Sequence, residues 1–203
     1  MTILAAPRPI SAKNKPDKLY SLEEYLAKEE KAAFKSEFYN GQIIRMAGGK
    51  STHNLISNNI SSSLRYAIKE NKLKFIAFNS DQKIHIPNKD IAVYPDALVI
   101  SEKPEYWNNR KDLITNPVLV VEVLSKSTRG YDRGEKFMHY RTLPSFKEYV
   151  LIEQDEKKVE IWFKAKENTW EITTIIGIEA ECFFNSIGVS VSMSDIYENI
   201  DAL

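Results

Sequence analysis

An apolar run that contains one carboxylate constrains the fold of this chain more than any other feature. Residues 118–124 read Val-Leu-Val-Val-Glu-Val-Leu, and a short continuous run of branched aliphatic residues predicts a strand buried on both faces of a sheet. An ionised side chain inside such a strand destabilises the fold by several kcal/mol unless another group pairs with it. Glu122 therefore indicates a central β-sheet, with either a functional site or a buried arginine partner beside this strand.

A second carboxylate opens another apolar run. Asp96 follows Pro95 and precedes the sequence Ala-Leu-Val-Ile at 97–100. If the two strands lie side by side, Asp96 and Glu122 would bind one shared cation, with the backbone carbonyl of Val123 as a further ligand. Mg²⁺ fits such a site because it is typically held by one or two carboxylates and keeps water as its other ligands. The structural alternative is that Asp96 only ends a turn after Pro95.

A lysine on the next predicted helix is the candidate for a catalytic cation. Asp132, Lys136 and Tyr140 recur at i, i+4 and i+8, so they share one helix face. If this face turns toward the sheet, the Lys136 ammonium reaches the two carboxylates and can orient a water or stabilise negative charge. The alternative is a surface Asp–Lys pair that contributes only about 0.3–0.5 kcal/mol.

The remaining patterns alternate between helices and strands. A capping box at 21–24 begins a helix that continues to about residue 35, Asn40-Gly41 predicts a β-hairpin, and apolar residues at i, i+4 spacing predict a long helix over 51–71. His85 alternates within a predicted strand and is expected to face outward. Further strands are predicted over 73–79, 82–86, 91–100, 146–153, 158–164 and 169–176, with helices over 131–143 and from residue 193. This order predicts a mixed α/β or α+β fold in which a central mixed sheet is flanked by helices and extended by extra β-hairpins.

The overall composition favours a cytoplasmic protein that is not a nucleic-acid coat protein. Lys and Arg together number 28, as do Asp and Glu, so any basic surface is local. Cys182 is the only cysteine, which excludes an intrachain disulfide, and no apolar stretch has the character of a membrane span or a signal peptide. Residues 1–18 combine prolines with basic residues and are expected to form a flexible arm, and 19–203 a single domain.

Three segments carry a resemblance to a known family. They are Tyr-Pro-Asp at 94–96, Glu-Val-Leu-Ser-Lys-Ser-Thr at 122–128 and Asp-Arg-Gly-Glu-Lys at 132–136. In this order, and together with the capping box, the Asn-Gly turn and Ser-Asp-Ile-Tyr at 194–197, they resemble the bacterial family of putative restriction endonucleases. This family is abundant in cyanobacteria and belongs to the PD-(D/E)XK nuclease superfamily. The likeness extends over nearly the whole chain after the arm.

The resemblance implies a restriction-endonuclease-like core and Mg²⁺-dependent hydrolysis of DNA phosphodiester bonds, with Mn²⁺ as a substitute metal. It assigns the superfamily's two acidic positions to Asp96 and Glu122. Glu37 matches a further acidic position, which would add a ligand or orient a water. His53 matches a family histidine, which either acts on phosphate or caps and packs its helix. DNA is the implied partner, and the cutting of two strands implies a homodimer.

One position departs from the superfamily pattern. The superfamily places a lysine two residues after the second acid, where this chain has Leu124. In similar families the lysine is on the neighbouring helix, which favours Lys136. Lys126 occupies a position where the family often has proline and is the lesser alternative. The missing strand lysine also supports a rival hypothesis, a catalytically degenerate nuclease fold that acts as a nucleic-acid or protein binding module, and the neutral overall charge agrees with it.

Overall fold

A computed structural model of the protein describes residues 18–202, so the predicted arm lies outside the described residues except for Lys18. The helices of this part are α1 (Leu22–Glu29), α2 (Ser51–Glu70), α3 (Arg129–Tyr131), α4 (Phe137–Tyr140) and α5 (Met193–Ile196). A π-helical turn, Asp132–Lys136, joins α3 to α4, so these segments form one continuous helix. Within residues 18–202, no helix combines the length and the apolar character that crossing a membrane requires.

The strands of the same residues form sheets of six, five and two strands. They are β1 (Ser36–Tyr39), β2 (Gln42–Arg45), β3 (Phe75–Asn79), β4 (Lys83–Ile86), β5 (Ile91–Val93), β6 (Ala97–Ser101), β7 (Leu113–Ile114), β8 (Pro117–Leu124), β9 (Glu148–Glu153), β10 (Lys158–Lys166), β11 (Thr169–Ile176), β12 (Glu181–Phe184) and β13 (Val189–Ser192). The orders are β11-β10-β9-β8-β6-β3 and β2-β1-β5-β4-β7, with β12 and β13 as a separate hairpin. The β8–β9 and β4–β7 pairs are parallel, so both larger sheets are mixed.

Strand β8 is buried along its whole length because helices cover both faces of its sheet. On one face, Val121 and Val123 belong to a core cluster with Ile56, Ile60 and other residues of α2. On the other face, Val120 and Leu124 pack in a second core cluster with aromatic residues of α4 and of the segment that follows it, such as Phe137 and Phe146. Glu122 lies between Val120 and Leu124, so it points toward the helix that carries the predicted lysine. The predicted fold class, a mixed α+β arrangement with helices on mixed sheets, is confirmed.

The hairpin and the long helix follow their sequence signals closely. Asn40 and Gly41 have φ values of 45° and 88°, the left-handed backbone that a type I′ turn requires at both central positions. The spacing predicted a helix over 51–71, and α2 begins at Ser51 and ends at Glu70. For both elements, the residues within the segment itself were enough to predict the structure.

Pro95 divides the predicted strand over 91–100 in two. The first part is β5, in the five-stranded sheet, and the second is β6, in the six-stranded sheet. Proline has no N–H to donate to a strand ladder and restricts the backbone of the residue before it. Asp96 therefore lies where the chain passes from one sheet to the other, at the start of β6.

Other predictions need correction. His85 is only 3% exposed instead of facing outward, because it pairs with Ala92 on the side of β4 that α1 and Trp107 cover. Alternation in a sequence marks one apolar face, but it does not tell whether a second layer covers the other. Helix α1 ends at Glu29 and not near residue 35, and the hairpin of β12 and β13 was not predicted.

Candidate functional site

The register between β6 and β8 brings the two predicted carboxylates together. Ala97 pairs with Val121 in antiparallel fashion, and the Asp96 N–H donates to the Val121 carbonyl at 3.1 Å. One step along this register, Asp96 lies opposite Glu122, and directly opposite residues present their side chains on the same face of a sheet. The two strands thus lie side by side, as the predicted shared site requires.

The Asp96 carboxylate is held by two groups of neighbouring elements. Its Oδ1 lies 2.8 Å from Nε2 of His53, in the first turn of α2, and its Oδ2 accepts the Val123 N–H at 2.7 Å. One turn further along α2, the Ser57 hydroxyl donates to the Asp96 carbonyl at 3.1 Å. Burial alone would lower the pKa of His53, but the hydrogen bond and the charge of Asp96 raise it above its ordinary value. His53 therefore orients Asp96.

Glu122 and Lys136 form a buried ion pair. The Lys136 Nζ lies 2.7 Å from Oε1 of Glu122, and the two side chains are 7% and 5% exposed. The Tyr140 hydroxyl donates to the same oxygen at 2.9 Å. Burial raises the pKa of the Glu122 carboxyl well above its ordinary value, and the charge of Lys136 opposes this shift. The helix face that Lys136 shares with Tyr140 thus turns toward the sheet.

Two further carboxylates surround the Lys136 ammonium. Asp132 Oδ1 lies 3.9 Å from it, one helical turn away, and Glu37 Oε1 lies 4.0 Å from it. Burial would lower the pKa of Lys136, but Glu122, Glu37 and Asp132 together raise it well above its ordinary value. These three carboxylates therefore favour the ammonium form of Lys136.

Glu37 reaches this centre from β1 of the five-stranded sheet. The Tyr39 hydroxyl donates to its Oε2 at 2.7 Å, and the Tyr94 N–H donates to its Oε1 at 3.1 Å. Tyr94 directly precedes the Pro95 crossing between the sheets. The orientation of Glu37 consequently depends on the same backbone segment that delivers Asp96.

The helix segment that carries Lys136 is anchored beside the π-helical turn. The Tyr149 hydroxyl donates to the Asp132 carbonyl at 3.0 Å. Arg133 donates to the buried Glu153 at 2.9 Å and also forms an ion pair with Glu160. Turns of π-helix are rare in proteins, and those that do occur are often found at functional sites. These anchors fix the turn against β9 and β10, and with it the position of the Lys136 ammonium.

A cavity of about 540 Å³ opens onto these groups. The six residues predicted to bind metal or to take part in catalysis all line it: Glu37, His53, Asp96, Glu122, Val123 and Lys136. Lys126, the alternative lysine, also lines it. Sequence reasoning gave no role to Asp132, although its i, i+4 spacing to Lys136 was the signal that could have assigned one. It missed the contacts of Tyr39 and Tyr94 with Glu37, although Tyr94 belongs to one of the segments that carry the resemblance, because only the fold brings these residues together.

The donor chemistry of the cavity fits a hard cation such as Mg²⁺. Asp96 and Glu122 offer carboxylate oxygens, and Val123 lines the same space. In the described part of the chain, no three side chains of His, Cys, Asp or Glu converge as a metal-binding group. A cation held here would thus depend on water for most of its ligands, as Mg²⁺ commonly does.

Comparison with known proteins decides the family. The model of the family described as "Putative restriction endonuclease" (Uma2) matches residues 22–183. The uncharacterized protein sll1609 of Synechocystis sp. is 39% identical over 168 residues, which cover 83% of this chain and 94% of that protein. A second uncharacterized protein of the same organism, slr1290, is 33% identical over 180 residues, 89% of this chain and 92% of that protein. The chain belongs to this family.

A solved structure shows the same fold. A protein described as a putative nuclease of the DUF820 group, from Anabaena variabilis, superposes with a TM-score of 0.71 and 19% sequence identity, covering 89% of this chain and 99% of that chain. Likeness at this level of identity establishes the fold alone. The resemblance drawn from the segments at 94–96, 122–128 and 132–136 is therefore confirmed at the level of family and fold.

Proposed function

We propose that this protein is a metal-dependent endonuclease that hydrolyses phosphodiester bonds of DNA. The observation that carries the proposal is the Lys136 ammonium, 2.7 Å from Glu122 in a cavity that Asp96 also lines. Two strand carboxylates and one lysine are the groups of the PD-(D/E)XK pattern, here with the lysine on a helix. The description of the family as putative restriction endonucleases supports the same reaction.

Each residue would have a distinct task. Asp96, Glu122 and the Val123 carbonyl would hold Mg²⁺ or Mn²⁺, which when bound supplies an activated water and offsets phosphate charge. Lys136 would orient the attacking water or stabilise the negative charge that develops on the phosphate, since its ammonium lies in the same cavity as both carboxylates.

The second group of residues would position the first. His53 would keep the Asp96 carboxylate in one orientation through their 2.8 Å contact. Glu37 would orient a water beside Lys136, because two hydrogen bonds already fix the direction of its own carboxylate. Neither task requires contact with the DNA bases, so the proposal specifies a reaction and leaves the target sequence open.

Cleavage assays test this proposal directly. Plasmid, single-stranded and branched DNA are incubated with Mg²⁺ or Mn²⁺ and with wild type, Asp96→Ala or Asp81→Asn. Asp81 is an exposed residue outside the cavity and serves as the matched control. We expect metal-dependent products from wild type and the control and none from Asp96→Ala. Cleavage that persists in Asp96→Ala would remove this residue from the mechanism.

One observation favours the rival function, a binding module without catalysis. Both oxygens of Asp96 already accept a hydrogen bond or contact His53, and Oε1 of Glu122 is engaged by Lys136 and Tyr140. Calorimetric titration with Mn²⁺ separates the two functions. Binding that is lost in Glu122→Gln supports the nuclease, whereas no binding to wild type supports the module.

The predicted homodimer is part of this proposal. Cutting both strands of a duplex at one place requires two centres, which a pair of chains would provide. Sedimentation velocity of the purified protein measures the mass in solution, and a single species at the mass of one chain, with and without DNA, would contradict the prediction.

A further inference from the structure

The interior of the cavity is mainly acidic, and most of the charged residues at its margin are basic. Its interior holds the carboxylates of Glu37, Asp96, Glu122 and Asp132 around one lysine. At the exposed margin of the same cavity are three cations, Arg45, Lys50 and Lys126, and one carboxylate, Asp155, which lies 3.9 Å from Arg129. We call the three cations the basic rim.

The described residues form no ion pair with the basic rim. Among residues 18–202, no carboxylate oxygen lies within 4.0 Å of the charged nitrogens of these three side chains. The Arg45 guanidinium instead lies over the Phe34 ring, 3.6 Å from its centroid. Some other cations are paired, such as Arg110 with Asp112 at 3.1 Å. Because these side chains are exposed at the opening of the cavity, the three cations of the rim are placed to contact an anionic partner there.

The rim comes from two separate loops. Arg45 ends β2 and Lys50 directly precedes α2, whereas Lys126 follows the end of β8, two residues beyond Leu124. A small phosphate ester seated at the carboxylates would occupy the interior alone. An extended polyanion that crosses the opening would meet cations from both loops, with one phosphate above the acidic interior and its neighbours at the rim.

We infer that Lys50 and Lys126, assisted by Arg45, bind the backbone phosphates on either side of the bond that is cut, so that the substrate is a polynucleotide and not a small phosphate ester. This inference rests on the proposed function, because the acidic interior accepts a phosphate only together with a cation. It also gives Lys126 a task that its sequence position did not indicate.

The salt dependence of DNA binding measures these contacts one at a time. Each cation that neutralises a phosphate contributes about 0.9 to the slope of log K against log salt for a duplex and about 0.7 for a single strand. Lys50→Ala and Lys126→Ala should each lower the duplex slope by about 0.9, which corresponds to about eightfold weaker binding at 0.1 M monovalent salt. The double variant should lose about 1.8 from the slope.

The probe is a fluorescent 20-base-pair duplex, with a single strand of the same sequence in parallel, titrated at several salt concentrations with Ca²⁺ in place of Mg²⁺. Lys166→Ala, which removes an exposed lysine at the end of β10 outside the cavity, is the matched control and should leave the slope unchanged. Circular dichroism and melting of each variant verify the fold. The charge reversal Lys50→Glu should weaken binding further than Lys50→Ala.

The outcomes separate this inference from the proposed function. If wild type binds DNA and both rim variants keep its slope, the rim does not bind phosphates and the inference is overturned while the nuclease proposal stands. If wild type binds neither duplex nor single strand at any salt concentration, the inference and DNA as the substrate are both overturned. Slopes that fall in the two rim variants and not in Lys166→Ala support the inference.

Discussion

Replacing Lys136 by methionine removes the ammonium from the centre of the site while it keeps the apolar part of the side chain. In the folded protein the ammonium and the Glu122 carboxylate are 2.7 Å apart and almost fully buried. Their attraction is about 6 kcal/mol at an effective dielectric constant of 20, most of which offsets the removal of both charges from water. After the substitution, Glu122 retains its desolvation and loses its partner.

We therefore expect Lys136→Met to lower the free energy of unfolding by about 3–5 kcal/mol, the usual result of breaking one side of a buried pair. For a chain of this size, 3 kcal/mol corresponds to a melting temperature roughly 6–12 °C lower. The measurement is urea unfolding followed by circular dichroism, in buffer that contains a chelator, so that no bound metal contributes.

Two companion variants make the measurement specific. Lys158→Met removes a more exposed lysine, 3.6 Å from Glu160, and should cost about 1 kcal/mol or less. The double variant Lys136→Met/Glu122→Gln no longer contains the unpaired buried charge. Its loss of unfolding free energy should therefore be smaller than the sum of the two single-variant losses by about 2 kcal/mol or more. A Lys136→Met protein within 1 kcal/mol of wild type, or strictly additive variants, would refute the account of a buried pair.

Other predictions concern the supports around the site. Burial lowers the pKa of His85 to about 4, below the usual 6.5. The unfolded chain therefore binds a proton at His85 before the folded protein does, and the free energy of unfolding should fall by up to about 3 kcal/mol between pH 6.5 and pH 4, with no contribution above that range. Urea unfolding at several pH values should show a weaker dependence of the unfolding free energy on pH for His85→Phe. Arg133→Ala should release the π-helical turn and increase the acetylation rate of Lys136, measured by mass spectrometry, because both carboxylate contacts of Arg133 are lost. Glu148→Ala should reduce the unfolding free energy by about 3 kcal/mol, since the buried carboxylate accepts three hydrogen bonds from residues 185–186.

Each of these has its own control. Loss of stability at low pH that is identical in wild type and His85→Phe would exclude His85 as the source. Arg141→Ala, on the same helix but without a carboxylate within 4.0 Å among the described residues, should leave Lys136 as protected as in wild type. Glu148→Gln keeps an acceptor and should be less destabilising than Glu148→Ala; equal losses would mean that the charge, and not the hydrogen bonds, supports this loop.

Much of the site was predictable because its signals are local or nearly so. Glu122 within an aliphatic run implied a buried charge, and the i, i+4 spacing of Asp132, Lys136 and Tyr140 implied one helix face. Together these defined a carboxylate and a cation without any knowledge of strand order. The resemblance in three short segments added the family, which the comparisons confirmed.

The environment of Glu37 and the burial of His85 were not predictable in the same way. Glu37 meets Lys136 across 99 positions of sequence, and its orientation depends on Tyr94 at the crossing between two sheets. The prediction for His85 was wrong because the cover over its strand comes from α1 and a distant turn. No periodicity within a strand reports which other element will pack on it.

The sequence by itself determined most of the elements, the family and the identity of the charged groups, because these depend on residue type and spacing along one strand or one helix. Tertiary structure alone decided that Asp96 stands opposite Glu122, that His53 and the Val123 N–H hold it, and that the ammonium lies between three carboxylates. The physical reason is that strand register and helix placement follow from the packing of the whole core, in which each contact joins residues far apart in the chain.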